Sequence, residues 1–184
     1  GEDALPVAGD WVALSGEPGD GEVSVERLFA RRTAFSRGAA GREARTQVVA
    51  ANVDCVLVVQ GLDGDFNPHR LERYVTRIWA SGAQPTVVLT KADLCDDVPS
   101  RIAEVEARCP AVPVLAVCAP NGEGLPGLRV LVRTGETAAL VGSSGAGKST
   151  LVNALLGEAR MATAEVSERD GRGRHTSVHR QLLR

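Results

Sequence analysis

The hydrophobic pattern changes character near residue 53. Before it, apolar residues come in short runs, Val7 to Leu14, Glu22 to Phe29 and Ala44 to Ala50. The first two are parted by Gly16-Glu17-Pro18-Gly19-Asp20-Gly21, a turn-rich stretch. Short runs bounded by such turns predict β-strands. Three strands make a poor core alone, so residues 1–50 read as part of a small barrel. Beyond this point continuous apolar runs alternate with stretches of helical spacing. The run from Val53 to Gln60 predicts a strand buried on both faces. Asn67 then caps a helix with Pro68 in its first turn, and Leu71, Tyr74, Val75, Ile78 and Trp79 follow on one stripe until Gly82. The alternation repeats: strand 86–89, helix 99–108, strand 112–117, short helix 125–131, strand 137–141, helix 148–156 closed by Gly157. The polar, Arg-rich remainder ends in a candidate last strand, Ser177 to Leu183. Strands alternating with helices predict a parallel α/β sheet with ligands at the carboxyl ends of its strands.

Composition adjusts this picture only in places. A chain of 184 residues allows one domain, or a small one joined to a medium one. Aromatics are only 3%, so the core must be built from Val, Leu and Ala. A net charge of −2 excludes attraction of the whole chain to nucleic acid and leaves that role to local patches. Two arginine clusters qualify. Arg27, Arg31, Arg32, Arg37, Arg42 and Arg45 have only Glu26 and Glu43 nearby, and Arg169, Arg172, Arg174 and Arg180 lie near the end. They read either as RNA phosphate contacts or as a solvated face. Cys55, Cys95, Cys109 and Cys118 form no C-x-x-C pair and no zinc spacing. With no signal segment and no apolar run near the ~20 residues of a membrane span, the expectation is a cytoplasmic monomer with no membrane partner.

The chemistry concentrates at two strand ends. Gly142-Ser143-Ser144-Gly145-Ala146-Gly147-Lys148-Ser149 is a G-x-x-x-x-G-K-[ST] loop between a predicted strand and a predicted helix. Its backbone N–H groups would cradle phosphates, Lys148 would reach the β- and γ-phosphates, and the Ser149 hydroxyl would hold Mg²⁺, with Thr150 next on the helix. Some fifty residues earlier, Thr90-Lys91-Ala92-Asp93 matches the T/N-K-x-D turn by which GTPases read guanine. Asp93 would accept from guanine N1–H and its exocyclic amine, a donor pair that adenine lacks. Thr90 stands where Asn is more usual, so one amide contact is expected to be lost. Cys118-Ala119 ends another strand, where backbone N–H groups could meet the guanine oxygen. A base reader ahead of the phosphate loop is a permuted order.

Those motifs, with Gly173-Arg174-His175-Thr176 after them, resemble the circularly permuted ribosome-assembly GTPases of the RsgA/YjeQ family. Further matches are Val7-Ala8-Gly9-Asp10-Trp11-Val12, Ala51-Asn52-Val53-Asp54 and Leu71-Glu72-Arg73-Tyr74. The resemblance implies an OB-type barrel over 1–50 that contacts rRNA and a permuted P-loop GTPase domain over 51–184. It implies GTP and GDP as ligands, Mg²⁺ as cofactor, and hydrolysis coupled to maturation of the small ribosomal subunit. Thr176 resembles the switch threonine on Mg²⁺. With no glutamine placed to orient water, His175 is the candidate for that role, beside Lys148 as the catalytic cation. The family's first barrel strands, its D-x-P-G motif and its zinc module, with the zinc ligands, have no counterpart here, so the chain reads as a piece of a longer protein cut before switch II. The permuted order puts the switch at the end of the domain, where γ-phosphate contacts would pull on whatever follows. Two rival readings remain at this stage: an RNA-binding module with a structural nucleotide site, and a P-loop ATPase or kinase in which Thr90–Asp93 is a plain turn.

Overall fold

The computed structural model describes residues 5–16, 23–38, 46–161 and 182–183. Strand β1 (Val12–Ser15) pairs antiparallel with β2 (Ser24–Leu28), and β3 (Ala34–Gly38) with β4 (Thr46–Ala51). There follow β5 (Cys55–Gly61), α1 (Pro68–Ala80), β6 (Gln84–Thr90), α2 (Val98–Arg108), β7 (Val114–Ala116), α3 (Leu125–Leu131), β8 (Ala138–Val141) and α4 (Lys148–Leu156). The last four strands make one parallel sheet in the order β7-β6-β5-β8.

Every residue of β5 is buried, because helices cover both faces of the sheet. Val56 and Val58 pack with Leu71, Val75 and Ile78 of α1 and Val105 of α2. Cys55, Leu57 and Val59 pack on the other face with Leu125 and Leu128 of α3 and Leu151 of α4. A strand covered on both sides gains nothing from polar alternation, hence its unbroken apolar run. Helix α1 starts as its sequence requires. Asn67 Oδ1 accepts the Arg70 N–H at 3.0 Å, and Pro68 fills the first turn, where no N–H is needed.

β3 and β7 depart from the strand expectations. β3 carries little pattern of its own: Phe35 is the only large apolar residue within Ala34–Gly38, and pairing with β4 makes the strand. β7 is shorter than the apolar run 112–117, because Pro113 has no N–H for the ladder and contributes its carbonyl to Val87 N at 2.8 Å. The candidate strand Ser177 to Leu183 lies outside the described residues except for Leu182 and Leu183, which are in no strand. Among the described residues β1–β4 form two separate ladders rather than a closed barrel.

The N-terminal ladders are fastened to the sheet domain by polar groups and by a shared core. Phe35 is buried with Val53, Leu71 and Ile78, and Val49 and Ala50 pack against the same cluster. Asn52, in a left-handed conformation at φ 54°, receives the Arg32 N–H on Oδ1 at 2.8 Å and donates from Nδ2 to the Gly9 carbonyl at 2.9 Å. Gly9 admits no side chain, because a Cβ there would lie 2.0 Å from the Ala51 carbonyl oxygen. Asp10 accepts the Val7 N–H at 2.8 Å and two bonds from the Arg31 guanidinium at 2.7 Å each. The Arg31 bonds, outweighing burial, hold the Asp10 carboxyl below its ordinary 3.8. A carboxylate depressed on folding contributes stability above its unfolded value and loses it as pH falls through the folded one. Asp10→Asn is therefore expected to be less stable than wild type at pH 7, with the gap narrowing as pH falls below about 4; urea unfolding at a series of pH values measures it.

Candidate functional site

Both signature loops leave the carboxyl edge of the parallel sheet on either side of β5. Register puts Val58 beside Val141, where the phosphate loop starts, and Gly61 beside Thr90, where the second turn starts. The phosphate loop must then cross the end of β5 closely. At Gly142, with φ at 151°, a Cβ would meet the Val59 carbonyl oxygen at 2.1 Å, so only glycine fits. Ser144 and Gly145 form the exposed crest of the loop, and Ala146 returns to the interior. Gly147, left-handed at φ 84°, opens α4. No side chain caps this helix and its first turn carries no acid. The N–H groups at its start and the positive end of the helix dipole therefore face the loop without a side-chain partner, beside Lys148, Ser149 and Thr150.

Lys148 lies back across the loop. Its Nζ donates to the Gly142 carbonyl at 3.1 Å and the Ser143 carbonyl at 2.5 Å. Burial pushes its ammonium below the ordinary value, and the Asp65 carboxylate partly offsets this. Ser143 donates its hydroxyl to Asp65.

The second turn is built around a strained residue. Lys91 has φ 58° and ψ 40°, a left-handed conformation that costs a non-glycine residue about 1–2 kcal/mol. A short 3₁₀ turn, Ala92–Leu94, follows and carries Asp93 at the exposed rim. The Lys91 ammonium pairs with Asp63 at 2.5 Å. Burial raises the Asp63 carboxyl, but Lys91 and the Asp65 N–H pull it further the other way, leaving it below the usual range. Ala92 N donates to the Val117 carbonyl at 3.4 Å, which brings the Cys118-Ala119 loop alongside. That loop is closed by Cys118 N to the Glu123 carbonyl and by Gly122 N to the Cys118 carbonyl, both at 3.0 Å. Burial raises the Cys118 thiol, and the neighbouring Asp93 carboxylate raises it further.

Thr90 has a different position from the one its motif suggests. It is only 2% exposed, and its hydroxyl donates to the Ala146 carbonyl at 2.7 Å. The threonine forgoes an amide contact but ties the end of β6 directly to the phosphate loop. The structure thus brings together Thr90, Lys91, Ala92, Asp93, Cys118, Ala119 and the whole of Gly142–Thr150. His175 and Thr176 lie outside the described residues.

Three residues at this edge carry no signature. Asp63, Asp65 and Arg70 come from the β5–α1 connection and the first turn of α1. Two aspartates directly after a buried strand, on the edge where ligands belong, were the available signal. Among the arginines, Arg31 is committed to Asp10, with its side chain 18% exposed. Arg32 is 70% exposed beside Asp54, and Arg27 lies over the Phe29 ring at 5.4 Å. Arg31 is thus a structural residue, whereas Arg27 and Arg32 remain at the surface. Arg42, Arg45, Arg169, Arg172, Arg174 and Arg180, and the side chain of Arg37, lie outside the described residues.

A strand–loop–helix phosphate cradle, with a polar reader turn on the far side of β5 and earlier in the chain, defines a P-loop nucleotide-binding domain of permuted order. Comparison with known proteins narrows the class. The RsgA GTPase family model matches residues 28–184, and the chain belongs to that family. It is 51% identical over 178 residues to the small ribosomal subunit biogenesis GTPase RsgA of Xylella fastidiosa strain 9a5c, covering 96% of this chain and 50% of that protein. It is 43% identical over 180 residues to RsgA 2 of Lactiplantibacillus plantarum, covering 98% and 51%. The chain spans about half the length of the curated relatives it matches. The crystal structure of YjeQ from Thermotoga maritima shares its fold, with a TM-score of 0.64 at 22% identity, covering 84% of this chain and 52% of that one. So does YloQ, described as a circularly permuted GTPase, with a TM-score of 0.57 at 23% identity, covering 83% and 50%.

The Thr90 hydroxyl can be isolated experimentally. Thr90→Val keeps the shape but leaves the buried Ala146 carbonyl without its donor, and is expected to cost about 1–3 kcal/mol. Thr90→Ser, which keeps the hydroxyl, should retain most of that stability; urea unfolding of the two variants distinguishes them.

Proposed function

We propose that the protein binds guanine nucleotide across the end of β5 and hydrolyses GTP to GDP and phosphate in the service of small ribosomal subunit maturation. The observation that carries this reading is the joining of Thr90 to Ala146 at 2.7 Å, which makes the base-reading turn and the phosphate loop two parts of one site. A lone phosphate loop would leave the choice of base open. Here the exposed Asp93 sits on the turn that Thr90 ties to that loop.

In this reading the Gly142–Ser149 backbone and the start of α4 hold the phosphates. Lys148 exchanges its carbonyl partners for phosphate oxygens. Asp93 accepts the two guanine donors, the Lys91 stem lies along the base, and the Cys118-Ala119 backbone meets the guanine oxygen. The cradle suits such a ligand, because the positions of closest approach, Gly142 and Gly147, are glycines whose Cβ would crowd Val59 and Thr90. Ser149 on α4 and Thr176 are the residues that would hold Mg²⁺, which would neutralise phosphate charge. A nucleotide-borne magnesium needs few protein ligands. No group of three or more His, Cys, Asp or Glu side chains suited to a metal occurs among the described residues. His175 is the candidate for orienting the attacking water.

The ribosomal part of the reading rests on the family and on the names of its members. Of the two arginine clusters, Arg27 and Arg32 are the described members exposed to meet rRNA phosphates. No described helix is long and apolar enough to cross a membrane, and a factor acting on ribosomes belongs in the cytoplasm, here as a monomer.

Competition for bound fluorescent GDP by GDP, ADP and XDP tests the base assignment. GDP should displace the probe and ADP should not. Asp93→Asn removes two charge-assisted hydrogen bonds and should weaken GDP by about a hundredfold while improving XDP. Equal competition by ADP, or a variant that behaves as wild type, would overturn the guanine reading.

A further inference from the structure

The connection from β5 to α1 touches both halves of the site, and no motif assigns it a role. From Asp63 the carboxylate reaches Lys91, the strained residue of the base-reading turn. Two residues on, the Asp65 carboxylate accepts the hydroxyl of Ser143 in the phosphate loop. The two acids are joined to each other, since Asp65 N donates to Asp63 Oδ1 at 3.1 Å. The segment is also tied down at both ends. Leu62 N donates to the Thr90 carbonyl at 2.8 Å. Arg70 donates to the Asp65 carboxylate at 2.7 Å and to its carbonyl at 2.6 Å, and the buried Gln60 Nε2 donates to the same carbonyl at 2.8 Å.

We infer that Asp63 and Asp65 are positioning residues that strap the base-reading turn to the phosphate loop, so that recognition of the base and of the phosphates is one coupled event. The inference rests on the guanine-nucleotide reading above. The chemistry favours a coupler over two separate supports. Lys91 holds its left-handed conformation with its ammonium on Asp63, and that turn carries Asp93. Ser143 supplies one of the two carbonyls that hold Lys148. Two carboxylates two residues apart on a segment fixed by Gln60 and Arg70 cannot shift independently, so a displacement at one loop is passed to the other.

The test compares GDP with inosine diphosphate, which lacks the exocyclic amine read by Asp93. Asp65→Asn alters the contacts to Ser143 and Arg70 and leaves the Asp63–Lys91 pair in place. It is expected to weaken GDP by about tenfold and also to narrow the preference for GDP over inosine diphosphate. Asp63→Asn should do the same, and the double variant should bind no more weakly than the weaker single. Unchanged affinity in either single variant overturns the strap, as does an equal loss for both nucleotides or losses that multiply in the double variant. If Asp65→Asn does not fold, Ser143→Ala removes the same contact from the loop side and is judged by the same ratio. A wild type that binds ADP as well as GDP removes the guanine reading instead, and the strap is then judged on whether the single losses multiply. A wild type that binds no diphosphate overturns both.

Discussion

The close passage of the phosphate loop over the end of β5 is the constraint on which the site depends. The Val59 carbonyl leaves room for a hydrogen, and nothing larger, at residue 142. With the loop that near, the neighbouring strand β6 can reach it with a side chain as short as threonine. Were the loop one side chain further out, the Thr90 hydroxyl would miss Ala146, and the reader turn and phosphate cradle would be separate features of one edge. The close passage follows from parallel register and from a β5 buried along its whole length, so the hydrophobic core fixes the polar site.

Much of this was legible in the sequence, and the reason differs by element. The boundaries of α3 and α4 follow from residues that do one thing only: Gly124 and Gly157 in left-handed conformations, Pro126 in a first turn, and a phosphate loop that must open a helix. β5 and β6 were visible because double burial leaves an unbroken apolar run. β3 was hidden because a ladder of mostly small and polar residues is stabilised by its partner strand rather than by its own pattern. In the site, the glycines and Lys148 were legible because phosphate geometry tolerates few substitutes. Asp63 and Asp65 were not, because aspartate after a strand is an ordinary turn residue until the fold shows what it touches. The motif sets Thr90 in an asparagine's place, and only burial and a hydrogen-bond partner reveal its own contact.

The arginines illustrate how composition misleads when geometry is missing. Arg31 and Arg32 are adjacent and chemically identical, and a charge count gives them equal weight. One is folded inward on Asp10 and fixes the Val7–Asp10 turn, while the other lies largely in solvent. Asn52 also does more than its sequence signal indicates. With one side chain it joins residues 9 and 32 to the junction, so the N-terminal ladders and the sheet domain share both a polar seam and the Phe35 cluster.

The far end of the phosphate-loop helix is secured differently. Asn153 exchanges two hydrogen bonds with the backbone of Met161, donating to its carbonyl at 2.9 Å and accepting its N–H at 2.8 Å. Five residues of helix, about 7–8 Å, separate Asn153 from Lys148. A tug on the chain beyond Met161 therefore enters α4 at the first residue of its last turn, and the helix passes it as a stiff rod to the groups that face the phosphates. Load and ligand meet at opposite ends of one short beam.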